Sequence, residues 1–149
     1  MPLKRKIVML VDDDREFLAE LQEALALSGF VPVPLTSGAR APAMARRVKP
    51  DAILLDLKLG DGDGFAVADR IRKCPRTARI PIIMMSGYFG DPGARRAPQP
   101  SDIDIYLSKP FSQKDVVRGI QTVLEGKKHE GGSGFMKDVL LGPGKNGPR

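Results

Sequence analysis

Short apolar runs that each stop on a side chain suited to phosphate chemistry recur along this chain, and they restrict its fold more than any other feature. The clearest is Asp51 to Gly64, DAILLDLKLGDGDG, where Ala52 to Leu55 meets Asp56 and then a loop rich in Gly and Asp. Consecutive apolar residues between turn signals suit a strand covered on both faces, as in a parallel sheet. Lys6 to Val11 runs into Asp12, Asp13 and Asp14, Ile80 to Met85 into Ser86-Gly87, and Asp104 to Leu107 into Ser108-Lys109-Pro110. Phe30 to Leu35, FVPVPL, alternates with prolines that remove ladder donors, so it reads as an edge strand.

Helical patterns fill the intervals. Asp14 can cap a first helix whose apolar positions are Phe17, Leu18, Leu21, Ala24 and Leu25, with Ser28-Gly29 as its stop. A second helix falls within Thr36 to Lys49, with its regular part starting near Pro42. Asp63 caps a third, with Phe65, Ala68 and Ile71 inward and Cys74-Pro75 as its end. Ser112 and Asp115 have capping-box spacing before a last helix with the apolar face Val116, Val117, Ile120, Val123 and Leu124, closed by Gly126. This alternation predicts an α/β fold, a doubly wound parallel sheet of about five strands with helices on both faces and right-handed crossovers. Strands of such a sheet end on one rim, where open α/β sheets bind ligands. Asp12, Asp13, Asp56, Ser86 and Lys109 therefore converge.

Acids from two strands repel one another unless a cation lies between them. Carboxylates with carbonyl and water oxygens suit Mg²⁺. Lys109 adds a point charge for phosphate and Ser86 a hydroxyl. A carboxylate nucleophile, a hard cation, a lysine and a hydroxyl together describe a phosphoryl-transfer site.

Composition narrows the remaining classes. The 149 residues suit one domain, and no apolar run approaches a membrane span. The apolar run behind the basic start is too short for a signal sequence, so the expected location is cytoplasmic. The single Cys74 has no disulfide partner within the chain. A net charge of +6 could favour nucleic acid, but the basic residues are scattered in sequence and aromatics are only 5%, which argues against direct nucleic-acid binding.

The motifs VDDD at Val11 to Asp14, LLDLKLGDGDG at Leu54 to Gly64, MSG at Met85 to Gly87 and LSKPF at Leu107 to Phe111 occur in this order, each at a strand end. From about Lys6 to Gly126 the chain resembles the CheY-like receiver domain of bacterial two-component response regulators. The resemblance implies a flavodoxin-like sheet of order 2-1-3-4-5. It implies Asp56 as phosphoacceptor, with Mg²⁺ held by Asp13 directly, by Asp12 largely through water, by Asp56 and by the backbone carbonyl of Lys58. Lys109 would pair with the phosphoryl group, and the Lys109-Pro110 bond would be cis. Ser86 would move to the phosphate and Tyr106 would swing inward with it, shifting the face made by the fourth helix, fifth strand and fifth helix. The donor would be the phosphohistidine of a sensor histidine kinase or phosphotransfer protein, the output a downstream protein partner. Homodimerisation stays open.

Two features depart from that pattern. Gly87 to Ile103 should hold a fourth helix, yet it carries Pro92, Gly93, Pro98 and Pro100. A loop or one short turn is expected there. Gly60 stands where the family commonly has Pro, which should loosen the loop after Asp56. Past a receiver of residues 1–126 lies a Gly-rich tail, 127–149, in which Phe135, Met136, Val139 and Leu140 have helical spacing. It reads as a frayed end or as a short docking helix. The expectation is a stand-alone receiver that catalyses only its own phosphorylation and dephosphorylation. The Lys58 ammonium either stays solvated or shields the phosphoryl group from water. The rivals are an unphosphorylated scaffold of the same fold and a small haloacid dehalogenase-type phosphatase using the Asp12-x-Asp14 pair. For the latter, Asp56 would be idle and no acidic pair follows Lys109.

Overall fold

Successive side chains of a strand point to opposite faces, so a sheet covered on both sides divides its apolar residues between two cores. The computed structural model, which describes residues 4–87 and 103–126, shows this division. In β1 (Ile7–Val11) and β3 (Ala52–Asp56), Met9, Val11, Ile53 and Leu55 join a core under α2 (Ala41–Val48) and α3 (Gly64–Lys73). Val8, Leu10 and Leu54 join the opposite core under α1 (Arg15–Leu27) and α4 (Gln113–Leu124).

The parallel sheet has five strands in the order β2 (Val31–Leu35), β1, β3, β6 (Ile82–Ser86), β7 (Ile105–Ser108). Counted within this sheet alone, that is the expected 2-1-3-4-5 flavodoxin-like order. β2 is the edge strand its prolines require. The register pairs Val11 with Leu55, Asp56 with Met85 and Ser86 with Ser108, so the polar strand ends lie side by side. A small antiparallel hairpin, β4 (Lys58–Leu59) with β5 (Gly62–Asp63), occupies the loop after Asp56 and was not anticipated from the sequence.

Helix starts follow the expected chemistry. Asp14 accepts from the N–H groups of Glu16 and Phe17, Asp63 from Phe65, and Ser112 and Asp115 form a reciprocal capping box. Gly29 has φ +94° just beyond α1, a conformation that an L side chain rarely adopts. Strand bounds shift from the sequence reading for local reasons. β6 starts at Ile82 because Pro81 has no N–H for the ladder, and its carbonyl only accepts from Ile53 N–H at 3.0 Å. β7 starts after Asp104, whose carboxylate accepts from Ile82 N–H at 2.8 Å. The expected irregular fourth helix falls on residues 88–102 and the tail on 127–149, both outside the described residues. Among the described residues no helix is long and apolar enough to cross a membrane.

Candidate phosphoryl-transfer site

Four strands deliver the site. Asp12 follows β1 and is 1% exposed, Asp56 ends β3 at 6%, and Ser86 ends β6 at 3%. Lys109 follows β7, with its N–H donating to Ser86 O at 2.7 Å. Carboxylate oxygens of Asp12, Asp13 and Asp56 all lie within 4.8 Å of one another. Lys109 Nζ stands 3.4 Å from Asp12 Oδ2 and 3.7 Å from Asp56 Oδ1. The Lys109-Pro110 bond is cis.

Burial dominates the electrostatics. It pushes the Asp56 carboxyl up from 3.8 to about 6, with the Asp12 charge adding to the rise, while Lys109 and the backbone of Lys58 oppose it. Asp12 is also raised, chiefly by burial, against the N–H of Asp14 and the charge of Lys109. One lysine thus leaves the clustered carboxylates undercompensated. Hard oxygen donors with excess negative charge fit Mg²⁺, which takes one or two carboxylates and leaves room for phosphate oxygens.

The neighbouring residues separate into those inside and those outside this cluster. Asp13 is exposed and reaches over the hairpin: a Cβ on Gly60 would lie 2.9 Å from its Oδ2. Asp14 is turned to the start of α1 and lies outside the acid cluster, which removes the Asp-x-Asp pair a phosphatase would need. Lys58 is exposed at the head of β4, and its backbone lies against Asp56. Tyr106 is half-buried in β7 and packs on the α2–α3 side, opposite its neighbours Ile105 and Leu107.

Three supporting contacts were not foreseen from the sequence. Phe17 places its ring 4.7 Å beneath Lys109 Nζ, where its face helps hold the ammonium, and meets Phe111 edge-on at 5.9 Å. Asp61, in the hairpin turn, reaches back across the loops: its carboxylate accepts from Ser37 Oγ at 2.8 Å, Gly38 N–H at 3.1 Å and Ala39 N–H at 3.2 Å. Those bonds hold its carboxyl below the usual carboxylate range. No local pattern signals this anchor, because the carboxylate and its donors lie 22 to 24 residues apart. Gly64 is the third: a Cβ there would press on the Asp56 carbonyl oxygen and lie 2.9 Å from Leu57 Cα.

The profile of the response regulator receiver domain matches residues 8–121. The transcriptional regulator RpaA of Synechocystis, described as DNA-binding, is 31% identical over 117 residues, which is 78% of this chain and 48% of that protein. The transcriptional regulatory protein PrrA of Mycobacterium tuberculosis is 29% identical over 136 residues, 91% of this chain and 57% of its own. The chain thus spans about half the length of these curated relatives. The DNA-binding description of RpaA conflicts with the expectation that direct nucleic-acid binding is unlikely. The receiver domain of the sensor histidine kinase PA1611 from Pseudomonas aeruginosa, with a magnesium ion in its active-site cleft, superposes with a TM-score of 0.75 at 26% identity, covering 82% of this chain and 99% of that one. The chemotaxis regulator CheY4 of Vibrio cholerae shares the fold, with a TM-score of 0.73 at 22% identity over 80% of this chain and 99% of its own. This chain belongs to the response regulator receiver domain family, the phosphorylation-controlled switches of two-component signalling.

Proposed function

We propose that this protein is a cytoplasmic switch set by phosphorylation of Asp56 and read by a downstream protein partner. The observation that carries the reading is the meeting of Asp12, Asp13 and Asp56 carboxylate oxygens within 4.8 Å, with the Lys109 ammonium beside Asp12 and Asp56. Asp12, Asp13 and Asp56, with the Lys58 backbone carbonyl, would hold Mg²⁺. When bound, the ion supplies charge neutralisation for phosphoryl oxygens.

The chain's own residues do the rest. An Asp56 carboxylate oxygen attacks the phosphorus of a phosphohistidine, the P–N bond breaks, and the imidazole leaves with the bonding pair. Lys109 sits where it can follow an oxygen of the incoming group, giving up part of its present attraction to Asp56. Ser86 is buried, so its hydroxyl reaches the phosphoryl group by a local shift, and Tyr106 would reorient with it. Water later cleaves the acyl phosphate, returning the Asp56 carboxylate and inorganic phosphate. Lys58, exposed beside the site, would slow that water. The chemistry is confined to the protein's own phosphorylation and dephosphorylation.

The test is intact mass after acetyl phosphate, or beryllofluoride binding, in Mg²⁺ with wild type and Asp56→Ala. A single adduct that disappears in the variant supports the switch. A folded wild type that takes neither reagent overturns it in favour of a scaffold role.

A further inference from the structure

The alternation that gathers strand ends at one rim gathers helix ends at the other. Helices α2 and α3 run back against their strands, so their last turns lie where the strands begin. Two hydrogen bonds join the strand starts to one another at this edge: Asp51 N–H donates to Ile7 O at 2.7 Å, and Ile53 N–H to Pro81 O at 3.0 Å. Arg46 and Arg47 close α2, Lys49 follows in its left-handed C-cap, and Arg76 and Arg79 come after α3; all are exposed. α2 and α3 pack against one another, so the cations at their ends share this rim. Lys4, Arg5 and Lys6, exposed ahead of β1, extend the same rim.

The acids near these cations are already engaged. Asp51 accepts from Ile7 N–H at 2.8 Å. Asp104 accepts from Ile82 N–H at 2.8 Å and pairs with Arg72 at 3.1 Å. Asp69 pairs with Lys73 at 3.0 Å. The exposed acids Glu16, Glu20 and Glu23 on α1 and Glu125 at the end of α4 are across the sheet from α2 and α3. Favourable interaction with a helix C-terminus accounts for Arg46 and Arg47. It does not account for Arg76, Arg79 or the cations ahead of β1.

We infer that this basic rim binds the phosphate backbone of duplex nucleic acid without reading its sequence. The basic residues that are scattered in the chain are brought together by the fold, which removes the first of the two reasons for setting nucleic acid aside; the scarcity of aromatics remains and bears on single strands. Arginine predominates in the patch, and its planar fork suits phosphate oxygens. A single strand would need aromatic platforms, and none of the residues named here is aromatic. A protein partner would need a central apolar anchor. Among the described residues the exposed large hydrophobics are Leu27, at the end of α1, and Val31, whose N–H donates to Lys6 O at 2.9 Å; they flank the rim beside β1, and the α2–α3 cations have no such anchor among them. The acidic rim points the other way, so the field of the molecule itself orients the approach. This surface is remote from Asp56 and does not depend on the phosphorylation reading.

The experiment is fluorescence anisotropy of a labelled DNA duplex of arbitrary sequence, titrated with the full chain at low and moderate salt. Neutralising about five phosphates gives a log–log salt slope near −4.5, so affinity should fall about 10²- to 10³-fold between roughly 50 and 200 mM salt. Replacing Arg46→Gln and Arg79→Gln together should flatten the slope by about 2 and weaken binding to every sequence alike. Far-ultraviolet circular dichroism and the urea midpoint of the same variant should match wild type, which reports its fold independently of Asp56. If that pair does not fold, Lys4→Gln with Lys49→Gln carries the same slope reading. No binding at low salt, an unchanged slope in the folded variant, or displacement by polyglutamate as effective as by unlabelled duplex would each overturn the inference, the last in favour of an acidic protein.

Discussion

Removing the charge of Asp56 should stabilise the metal-free protein. Burial and the Asp12 charge hold its carboxyl at about 6 against an ordinary 3.8. At about 1.36 kcal/mol per pKa unit, ionising it in the native state costs about 3 kcal/mol more than in the unfolded chain. The sign follows from proton counting. Between the two values the native state holds more protons than the unfolded state, so stability falls as pH rises through that window, and the loss is complete above about pH 6. Asp56→Asn keeps the shape and removes the charge, while Lys109 keeps Asp12 at 3.4 Å. In EDTA at neutral pH the variant should gain up to about 3 kcal/mol, a rise of about 1–2 M in urea midpoint. The gain should shrink as pH falls and approach zero below about pH 3, where Asp56 is largely protonated in both states. Saturating Mg²⁺ should shift the balance back towards wild type, because the carboxylate then has a cation to bind. A variant no more stable than wild type at neutral pH, or one whose advantage is independent of pH, would refute the reasoning.

Other consequences are as direct. Mg²⁺ should raise the wild-type unfolding midpoint by mass action, by about 2.7 kcal/mol at 100 times its dissociation constant, and Asp13→Asn should lose most of that shift while folding normally, since Asp13 is exposed. Gly64→Ala adds about 1 kcal/mol of helix preference, yet its Cβ meets the backbone of Asp56 and Leu57. Overpacking typically costs about 1–3 kcal/mol, so the urea midpoint should fall; an unchanged midpoint would deny the close approach. Asp61→Ala should lower stability modestly and speed amide exchange at Gly38 and Ala39. Because the folded Asp61 carboxyl is depressed, that contribution is present at neutral pH and lost as pH falls through its folded value, so wild type and variant should converge in acid.

The Asp61 anchor also bears on the loop after Asp56. A glycine at position 60 leaves that loop without the stiffness of proline. The β4–β5 hairpin and the three bonds from Asp61 to the start of α2 supply a different restraint. Gly38 packs into the same junction, where a Cβ would lie 2.6 Å from Leu59 Cδ1.

The sequence by itself determined the elements and what ends them. Asp14, Asp63 and the Ser112–Asp115 pair act within three residues of the N–H groups they serve, so their roles are local and legible. The period of apolar residues separated strands from helices, and a parallel sheet then had to bring Asp12, Asp56, Ser86 and Lys109 to one rim. Only the tertiary structure decided what those groups feel there. The rise of Asp56 comes from burial and from Asp12 on another strand, and Lys109 lies between carboxylates and over Phe17 through contacts between distant segments. Asp61 bonds to Gly38 across 23 residues. The basic rim exists because helix ends and strand starts share an edge. Local chemistry follows from neighbours in the chain, whereas charge, burial and long-range hydrogen bonding follow from neighbours in space.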